Sequence, residues 1–566
     1  MKATDYIVEF LVEQGVDCIF EVAGGMIAHL IDSVHRSGKI RLISVHHEQA
    51  GAFAADAVGR ITGIPGVAMA TSGPGAINLL SGIASCYFDS SPAVFLTGQV
   101  NRNEQTGDRP IRQLGFQETD IVSMAAPITK AAWKVNEIEE LPNLLSKAFA
   151  IAKAGRHGPV LLDLPMDLQR EHLPSSAIRN PVCAFPSNID PETAQIVSSL
   201  EALREARRPL VLIGGGIRSA RAAVALRALV DRLRIPVVHS LMAVDVLPFS
   251  HPLRMGMIGT YGNRWANMAL GNCDCLMVLG SRLDIRQTGS DTASFRSGRR
   301  IIHVDCEAGE INNRIPGCDA IVSTLPEFLA LALEIAVTMS FPEQAEWLGE
   351  IARWRARWPD IAESRVEGIN PNVFMHQLSR ASTRASAFVA DVGQHQMWAA
   401  QSLELNEHQR FLSSGGLGSM GFGLPAAVGA CLSLRNPVLV ISGDGGFQCN
   451  LQELQTVVTN KLPIKMVVVN NRCHGMVRQF QESYFESRYQ STLWGYEAPD
   501  FERIACAYGI ASRTIAAPEQ VPSALECLWH DPMQPILLQV MVDTYANAYP
   551  KISFGQPVTG MEPSIG

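Results

Sequence analysis

Charge is scarce in this chain: Asp, Glu, Lys and Arg together make up 18% of its 566 residues, against 47% hydrophobic. Such a balance suits a large, well-buried globular protein with further surface hidden between subunits. A basic excess is missing too. The net charge of −8 and the pI near 6.0 supply no positive face for nucleic acid. Long apolar runs are also absent. The most apolar helical stretch, FLALALEIAVTM (328–339), is short and carries Glu334, so it cannot cross a bilayer. The opening MKATDYIVEFLVEQGV sets Ile7, Phe10 and Leu11 at helical spacing broken by Glu9 and Glu13, an amphipathic helix and not a signal peptide. Close cysteine pairs are limited to Cys273 and Cys275, in the strand-like CDCLMVLG. With no second pair to complete a zinc site, they read as buried thiols. These absences describe a soluble protein of a reducing, cytoplasmic compartment, with no membrane and no nucleic acid among its partners.

What is present is repetition. The length exceeds what one core supports, ~250–300 residues, and suggests about three domains. Residues 1–170 alternate helical patterns with β-rich runs such as CIFEV, GVAMA, AVFLTG and PVLLDLP. A polar, Pro- and Ser-rich stretch at 171–190 reads as a linker, and a second alternating region fills 190–335. The helix-like EWLGEIARWRARW follows, with Trp347, Trp354 and Trp358 on one face of a packed surface helix. A third alternating region occupies 370–550. Strands alternating with helices predict an α/β protein of three consecutive open parallel-sheet domains. Such sheets bind ligands at the carboxyl ends of their strands. The candidate stretches lie there: EVAGGM, SVHHEQ, ATSGPG, TGQV, IGGG, ADVGQHQ, SGDGG and VNN.

The sharpest of these is GDGGFQCNLQELQTVVTNKLPIKMVVVNN (443–471). A strand enters a Gly-rich turn, the helix LQELQTVVTN follows, and the next strand ends on Asn470 and Asn471. Glycines let a backbone approach a phosphate, but Asp444 would repel one unless a cation stood between them. Mg²⁺, held by one or two protein oxygens plus phosphate oxygens, meets that need. Glu48, in HHEQAGAFAADAVGR, reads equally as a helix-start residue and as a proton-transfer group in a small, apolar surround. His46 and His47 read as packing residues. GGGIRS (214–219) lacks the full dinucleotide fingerprint, and Phe116 and Gln117 in GFQETD suit either a pocket or a loop.

GDG, 24 intervening residues and NN resemble the thiamine-diphosphate signature. Over nearly its whole length the chain is similar to the acetohydroxyacid (acetolactate) synthase group. The stretches that carry the resemblance are HHEQAGAFAADAVGR, ATSGPGAINLLSGI, GFQETDIV, VGQHQMWAAQ, SSGGLGSMGFGLPAAVGA, GDGGFQCNLQEL and NNRCHGMVRQF. The resemblance implies a pyrimidine-binding domain, a central domain and a diphosphate-binding domain, assembled as a homodimer or homotetramer with active sites between subunits. It makes Glu48 the residue that hydrogen-bonds N1′ of the aminopyrimidine and so promotes loss of the thiazolium C2 proton. Gly418 then accepts from the 4′-amino group, and Met420 props the cofactor in its bent form. Asp444, Asn471 and the carbonyl of Cys473 become Mg²⁺ ligands. Pro74, Asn78, Gln394, His395, Gly443, Gly445, Gly446 and His474 become further thiamine-diphosphate contacts. The resemblance also assigns FAD to the central domain, through Gly214, Gly215, Gly216, Met257, Gly259, Gly280, Arg282 and Asp305. Gly25, Phe116, Gln117, Met476 and Phe480 fall on the substrate side.

The implied activity is a carboligase that decarboxylates pyruvate and transfers the two-carbon unit to a carbonyl acceptor. Two positions depart from the family pattern: Met166 stands where anabolic synthases carry a lysine, and Phe480 replaces a tryptophan. Both make the acceptor side more apolar and roomier. They point toward the branch that uses ketones or keto-sugars, as in yersiniose-type biosynthesis. Acetolactate synthase proper is the first alternative and an FAD-dependent pyruvate oxidase the second. The tail SFGQPVTGMEPSIG lacks the amphipathic helix of membrane-attached oxidases. Joint retention of Glu48, Asp444 and Asn471 argues against a non-catalytic binding module.

Overall fold

Several apolar runs are buried at every position, as strands covered on both faces must be. The first sheet is built from β1 (Cys18–Glu21), β2 (Arg41–Ser44), β3 (Gly66–Ala70), β4 (Ala93–Gln99), β5 (Ala131–Lys134) and β6 (Pro159–Pro165). The second uses β7 (Pro209–Ile213), β8 (Val237–His239), β9 (Arg254–Met257), β10 (Cys275–Leu279), β11 (Arg300–Asp305) and β12 (Asp319–Val322). The third uses β13 (Ala387–Ala390), β14 (Arg410–Ser413), β15 (Val438–Gly443), β16 (Ile464–Asn470), β17 (Ala511–Ile515) and β18 (Ile536–Met541). All three are parallel and six-stranded. The first runs β2-β1-β3-β4-β6-β5 and the third β14-β13-β15-β16-β18-β17, the same order twelve strands later. The second, β12-β11-β10-β7-β8-β9, differs. This computed structural model describes residues 1–174 and 191–564, so the expected linker at 171–190 falls almost wholly outside the described residues. Among them, no helix is long and apolar enough to cross a membrane.

Helices that matter for the site are α1 (Glu48–Thr62), α2 (Pro74–Asp89), α3 (Gln394–Ser402), α4 (Gly423–Leu434), α5 (Asp444–Cys449) and α6 (Gly475–Tyr484). α1 is buried from Ala50 to Gly59 because its alanines and glycines let neighbours approach on both sides. A Cβ on Gly82 of α2 would overlap that of Ala52, and one on Gly429 of α4 would overlap the Ala54 carbonyl oxygen. Phe53 of α1 meets Phe422 edge-to-face at 5.5 Å, so the first and third domains share one core. Gly429→Ala should therefore destabilise the protein by about 1–3 kcal/mol, because the obstruction is backbone that cannot rotate away. Thermal melting checks this, and an unchanged midpoint would refute the packing argument.

Two expected elements differ in detail. The run LQELQTVVTN is not one helix. α5 ends at Cys449, a 3-10 turn spans Leu451–Glu453 and a separate helix covers Leu454–Thr459. Asn450 makes the break: its Nδ2 donates to the Gly421 carbonyl (2.9 Å) and to Gln49 (3.3 Å), contacts to other segments that a continuous helix would forgo. The Trp-bearing helix spans Ala345–Arg357, where Trp347 and Trp354 stack edge-to-face at 5.7 Å. Trp358 falls just past its end at φ −130°, its N–H still donating to the Trp354 carbonyl at 2.9 Å. Cys273 and Cys275 are buried thiols, which burial pushes up to about 11 and 12 respectively.

Candidate active site

β15 and β16 are neighbours, with Gly443 opposite Val469, so Asp444 and Asn471 leave adjacent strand ends together. Asp444 is 2% exposed, and its Oδ2 accepts from the Tyr496 hydroxyl at 3.0 Å. Burial pushes its pKa up to about 6, which marks a carboxylate with too little nearby positive charge. Asn471 is held at both ends. Its Oδ1 accepts from the Cys473 N–H (3.2 Å), and its Nδ2 donates to Gln394 Oε1 (3.0 Å). Glycine is required around this pair: a Cβ on Gly475 would overlap Gln394, and one on Gly445 would stand 2.7 Å from the His474 ring and 3.3 Å from Met420. Among the described residues, no three His, Cys, Asp or Glu side chains converge as a metal centre. A cation here would rest on the Asp444 carboxylate, the Asn471 amide oxygen and the Cys473 carbonyl. That is a hard-oxygen set of the kind Mg²⁺ takes, and the buried carboxylate fits it.

Gln394 and His395 open α3 beneath this cradle, and their side chains are already engaged. Gln394 accepts from Asn471 and donates to the Ala546 carbonyl (2.9 Å) and to Gln479 (3.3 Å). His395 Nε2 accepts from the Gly443 N–H at 3.2 Å, and burial drives its pKa down to about 3, so it stays neutral. Both side chains brace the strand ends that carry Asp444 and Asn471. Sequence reasoning missed Asp391, at the end of β13. Its Oδ1 accepts from the N–H of Val392 (2.6 Å) and of Gly421 (3.0 Å), and its Oδ2 from Gly423 (3.0 Å). A Cβ on Gly446 would reach it at 2.9 Å. Asp391 thus ties α5 to the loop bearing Gly418, whose φ is +75°, and the partly exposed Met420. The signal was present in ADVG, a strand-end aspartate like that of SGDGG.

On the first domain, Glu48 is the first residue of α1. His47 caps that helix by accepting from Gln49 N–H through Nδ1 (3.1 Å), and the His46 N–H donates to Glu453 of the third domain (2.9 Å). The Glu48 carboxylate takes a bond from Asn78 Nδ2 at 3.0 Å, and a Cβ on Gly75 would sit 3.1 Å from its other oxygen. The first turn of α2, begun by Pro74, therefore lies against Glu48. Helix start and carboxylate with an oxygen to spare are both true of it. Among the described residues, no hydrogen bond or ion pair joins Glu48 to Asp444 or Asn471 within the chain.

A cavity of about 250 Å³ lies where the three domains meet. Its lining includes Gly215, Gly216, Met257, Gly280, Arg282 and Asp305, with Arg156 and Asp89 from the first domain and Gly415 from the third. Gly214 and Gly259 are not on its wall. They permit close backbone approach, Gly214 to the Gly280 carbonyl and Gly259 to that of Arg286. Asp305 is buried with its pKa raised by desolvation, and it accepts from the Glu307 N–H (2.9 Å). Glycine turns, an acid and arginines in one cleft fit a nucleotide such as FAD.

Three family models cover the chain: the thiamine pyrophosphate enzyme N-terminal TPP binding domain (1–124), central domain (196–331) and C-terminal TPP binding domain (391–540). The chain belongs to the thiamine pyrophosphate enzymes. It is 37% identical to the acetolactate synthase large subunit of Pyropia yezoensis, over 97% of this chain and 93% of that protein. Isozyme 2 of that subunit from Escherichia coli K12 is 35% identical over 98% of both chains. The acetolactate synthase large subunit of Lactococcus lactis is 34% identical over 98% of this chain and 95% of its own.

In this thiamine pyrophosphate enzyme the remaining expected site residues lie in loops and in the helices that follow strands. Gln117 holds a left-handed φ of +65°, and a Cβ on Gly73 would stand 2.9 Å from its own, so it rests on the turn before Pro74. Phe116 beside it is 79% exposed. Gly25 opens a 3-10 turn after β1, where an added Cβ would meet open space, and Met166 starts a short helix after β6. Met476 and Phe480 share α6, where Phe480 packs on Tyr484 (4.6 Å) and Phe485 (5.7 Å). The Gln117 loop is anchored from within: Asp163 accepts from Thr97 (2.7 Å) and Gln99 (2.9 Å), and Gln99 also donates to the Thr119 carbonyl (2.8 Å). Burial pushes Asp163 up to about 7. A carboxyl raised by folding contributes stability at low pH that is lost as pH climbs through about 7. Asp163→Asn, which stays neutral, should shrink the difference in melting temperature between pH 5.5 and pH 8. An undiminished difference would contradict the assignment.

Proposed function

We propose that this protein is a thiamine-diphosphate- and Mg²⁺-dependent carboligase that decarboxylates pyruvate and joins the two-carbon unit to a second carbonyl compound. The observation that carries the reading is the convergence of Asp444 and Asn471 on adjacent strand ends above buried struts. Glu48, on a separate domain, keeps an oxygen with no hydrogen-bond donor among the described residues. When bound, thiamine diphosphate supplies the electron sink for loss of CO₂. The chain's residues do the rest. Asp444, Asn471 and the Cys473 carbonyl hold the cation, Gly418 and Met420 orient the cofactor, and Glu48 moves a proton at the pyrimidine N1′.

Following the family resemblance, we place each complete site between two copies, in a homodimer or homotetramer acting in the cytoplasm. The domains then divide as pyrimidine-binding (1–170), central (190–335) and diphosphate-binding (370–550), with FAD in the central cleft. Full-length similarity to acetolactate synthase large subunits favours a second 2-ketoacid as acceptor. One observation supports the ketone or keto-sugar reading instead: Met166 and the half-exposed Phe480 offer no cation to a second carboxylate. Pyruvate alone, then pyruvate with a panel of ketones, followed by mass spectrometry, separates the two. Rapid acetolactate formation with no ketone consumed supports the synthase, and ketone adducts that outcompete acetolactate support the other. Flavin bleaching at turnover rates would replace both with an oxidase.

A further inference from the structure

Outside every stretch that carries the family resemblance, one side chain reaches the cation cradle. Tyr496 stands in the loop between α6 and the helix Phe501–Ala507. Its hydroxyl donates to Asp444 Oδ2 at 3.0 Å and accepts from Gln448 Nε2 at 3.2 Å. Its ring centroid lies 4.2 Å from that of His474. The same loop is tied to the cradle again, by the His474 N–H donating to the Thr492 carbonyl at 3.0 Å, while the Thr492 hydroxyl donates to Gln481 of α6. Three of its non-glycine residues, Glu486, Ser487 and Ser491, hold left-handed φ of 52°, 59° and 64°. Such backbone persists only where surrounding contacts over-determine it, and it concentrates at functional sites.

We infer that Tyr496 is a positioning residue for metal binding, its phenol fixing one carboxylate oxygen of Asp444 so that the other is presented to the cation. The inference rests on the reading of Asp444 as an Mg²⁺ ligand. The geometry favours it for two reasons. Among the described residues the Tyr496 hydroxyl is the one side-chain donor to Oδ2 of this buried carboxylate, so losing it removes a restraint on how that group is turned. A phenol is protonated at neutral pH, so it donates without bringing a charge that would compete with the metal. Hydrogen-bond partners of metal ligands typically set affinity by 10–100-fold.

The test uses the full-length protein, freed of metal by chelation and gel filtration. Mg²⁺ is titrated at fixed, saturating thiamine diphosphate, and retained cofactor is read by equilibrium dialysis. Tyr496→Phe keeps the ring against His474 and loses only the hydroxyl. It should need roughly tenfold more Mg²⁺ for half-saturation, read on apo protein that still melts cooperatively. Tyr496→Ala should need at least as much and also melt lower, separating ring packing from the hydroxyl. A wild type that depends on Mg²⁺, matched within twofold by Tyr496→Phe, overturns this inference alone. A wild type whose cofactor retention ignores Mg²⁺ overturns the Asp444 reading and this inference with it.

Discussion

Glu48→Gln should leave thiamine diphosphate bound and slow hydrogen–deuterium exchange at its C2 by ~10²–10⁴-fold, the usual worth of a positioned acid–base group. The substitution keeps size and shape. The bond from Asn78 Nδ2 can still be accepted by the amide oxygen, and α1 still begins at a capped position. What is lost is a carboxylate able to share a proton at the pyrimidine N1′. Binding is expected to survive because the cation cradle lies on another domain and Glu48 has no bond to it. Quenched-flow exchange followed by NMR measures the rate. Exchange as fast as in wild type would remove Glu48 from the proton path, whereas loss of cofactor binding would show a structural role instead.

Asp444→Ala should abolish Mg²⁺-dependent retention of the cofactor, weakening it by about a hundredfold or more, since even outer-shell partners of a ligand are worth 10–100-fold. This carboxylate is the only charged member of the proposed ligand set, and Mg²⁺ is typically held by just one or two. The same variant should not lower the stability of the apo protein. Burial has pushed Asp444 up to about 6, which means the fold holds an ionised carboxylate at a cost when no cation is present. Equilibrium dialysis and an apo melt, run side by side, check both halves. A variant that loses cofactor only because it unfolds would contradict the second.

Much of this was legible in the sequence, for identifiable reasons. Alternating β-rich and helical runs imply parallel sheets whatever the strand order. GDG and NN mark two strand ends because each follows an uninterrupted apolar run. That the first and third sheets share one order was not legible, since strand order is set by which helix packs where and not by any local pattern. The split at Asn450 was hidden for the same reason: its side chain answers to Gly421 and Gln49, far away in sequence. Within the site, Asp391 could have been found by the strand-end rule that found Asp444. Asp163 and Tyr496 could not. Their importance comes from hydrogen bonds that only the fold creates, to Gln99 in one case and to Asp444 in the other. Gln394 and His395, expected as cofactor contacts, also hold the cradle together through Asn471 and Gly443, which no local pattern shows.

On the proposed reading this protein, with thiamine diphosphate and Mg²⁺, releases CO₂ from pyruvate and forms a carbon–carbon bond. Carbon-13-labelled pyruvate, incubated with the purified protein, both cofactors and FAD, and followed by NMR, tests it most directly. One CO₂ should be released for each new carbon–carbon bond, with turnover abolished when Mg²⁺ is withheld. Release of CO₂ with acetaldehyde or acetate as the only other product would contradict it.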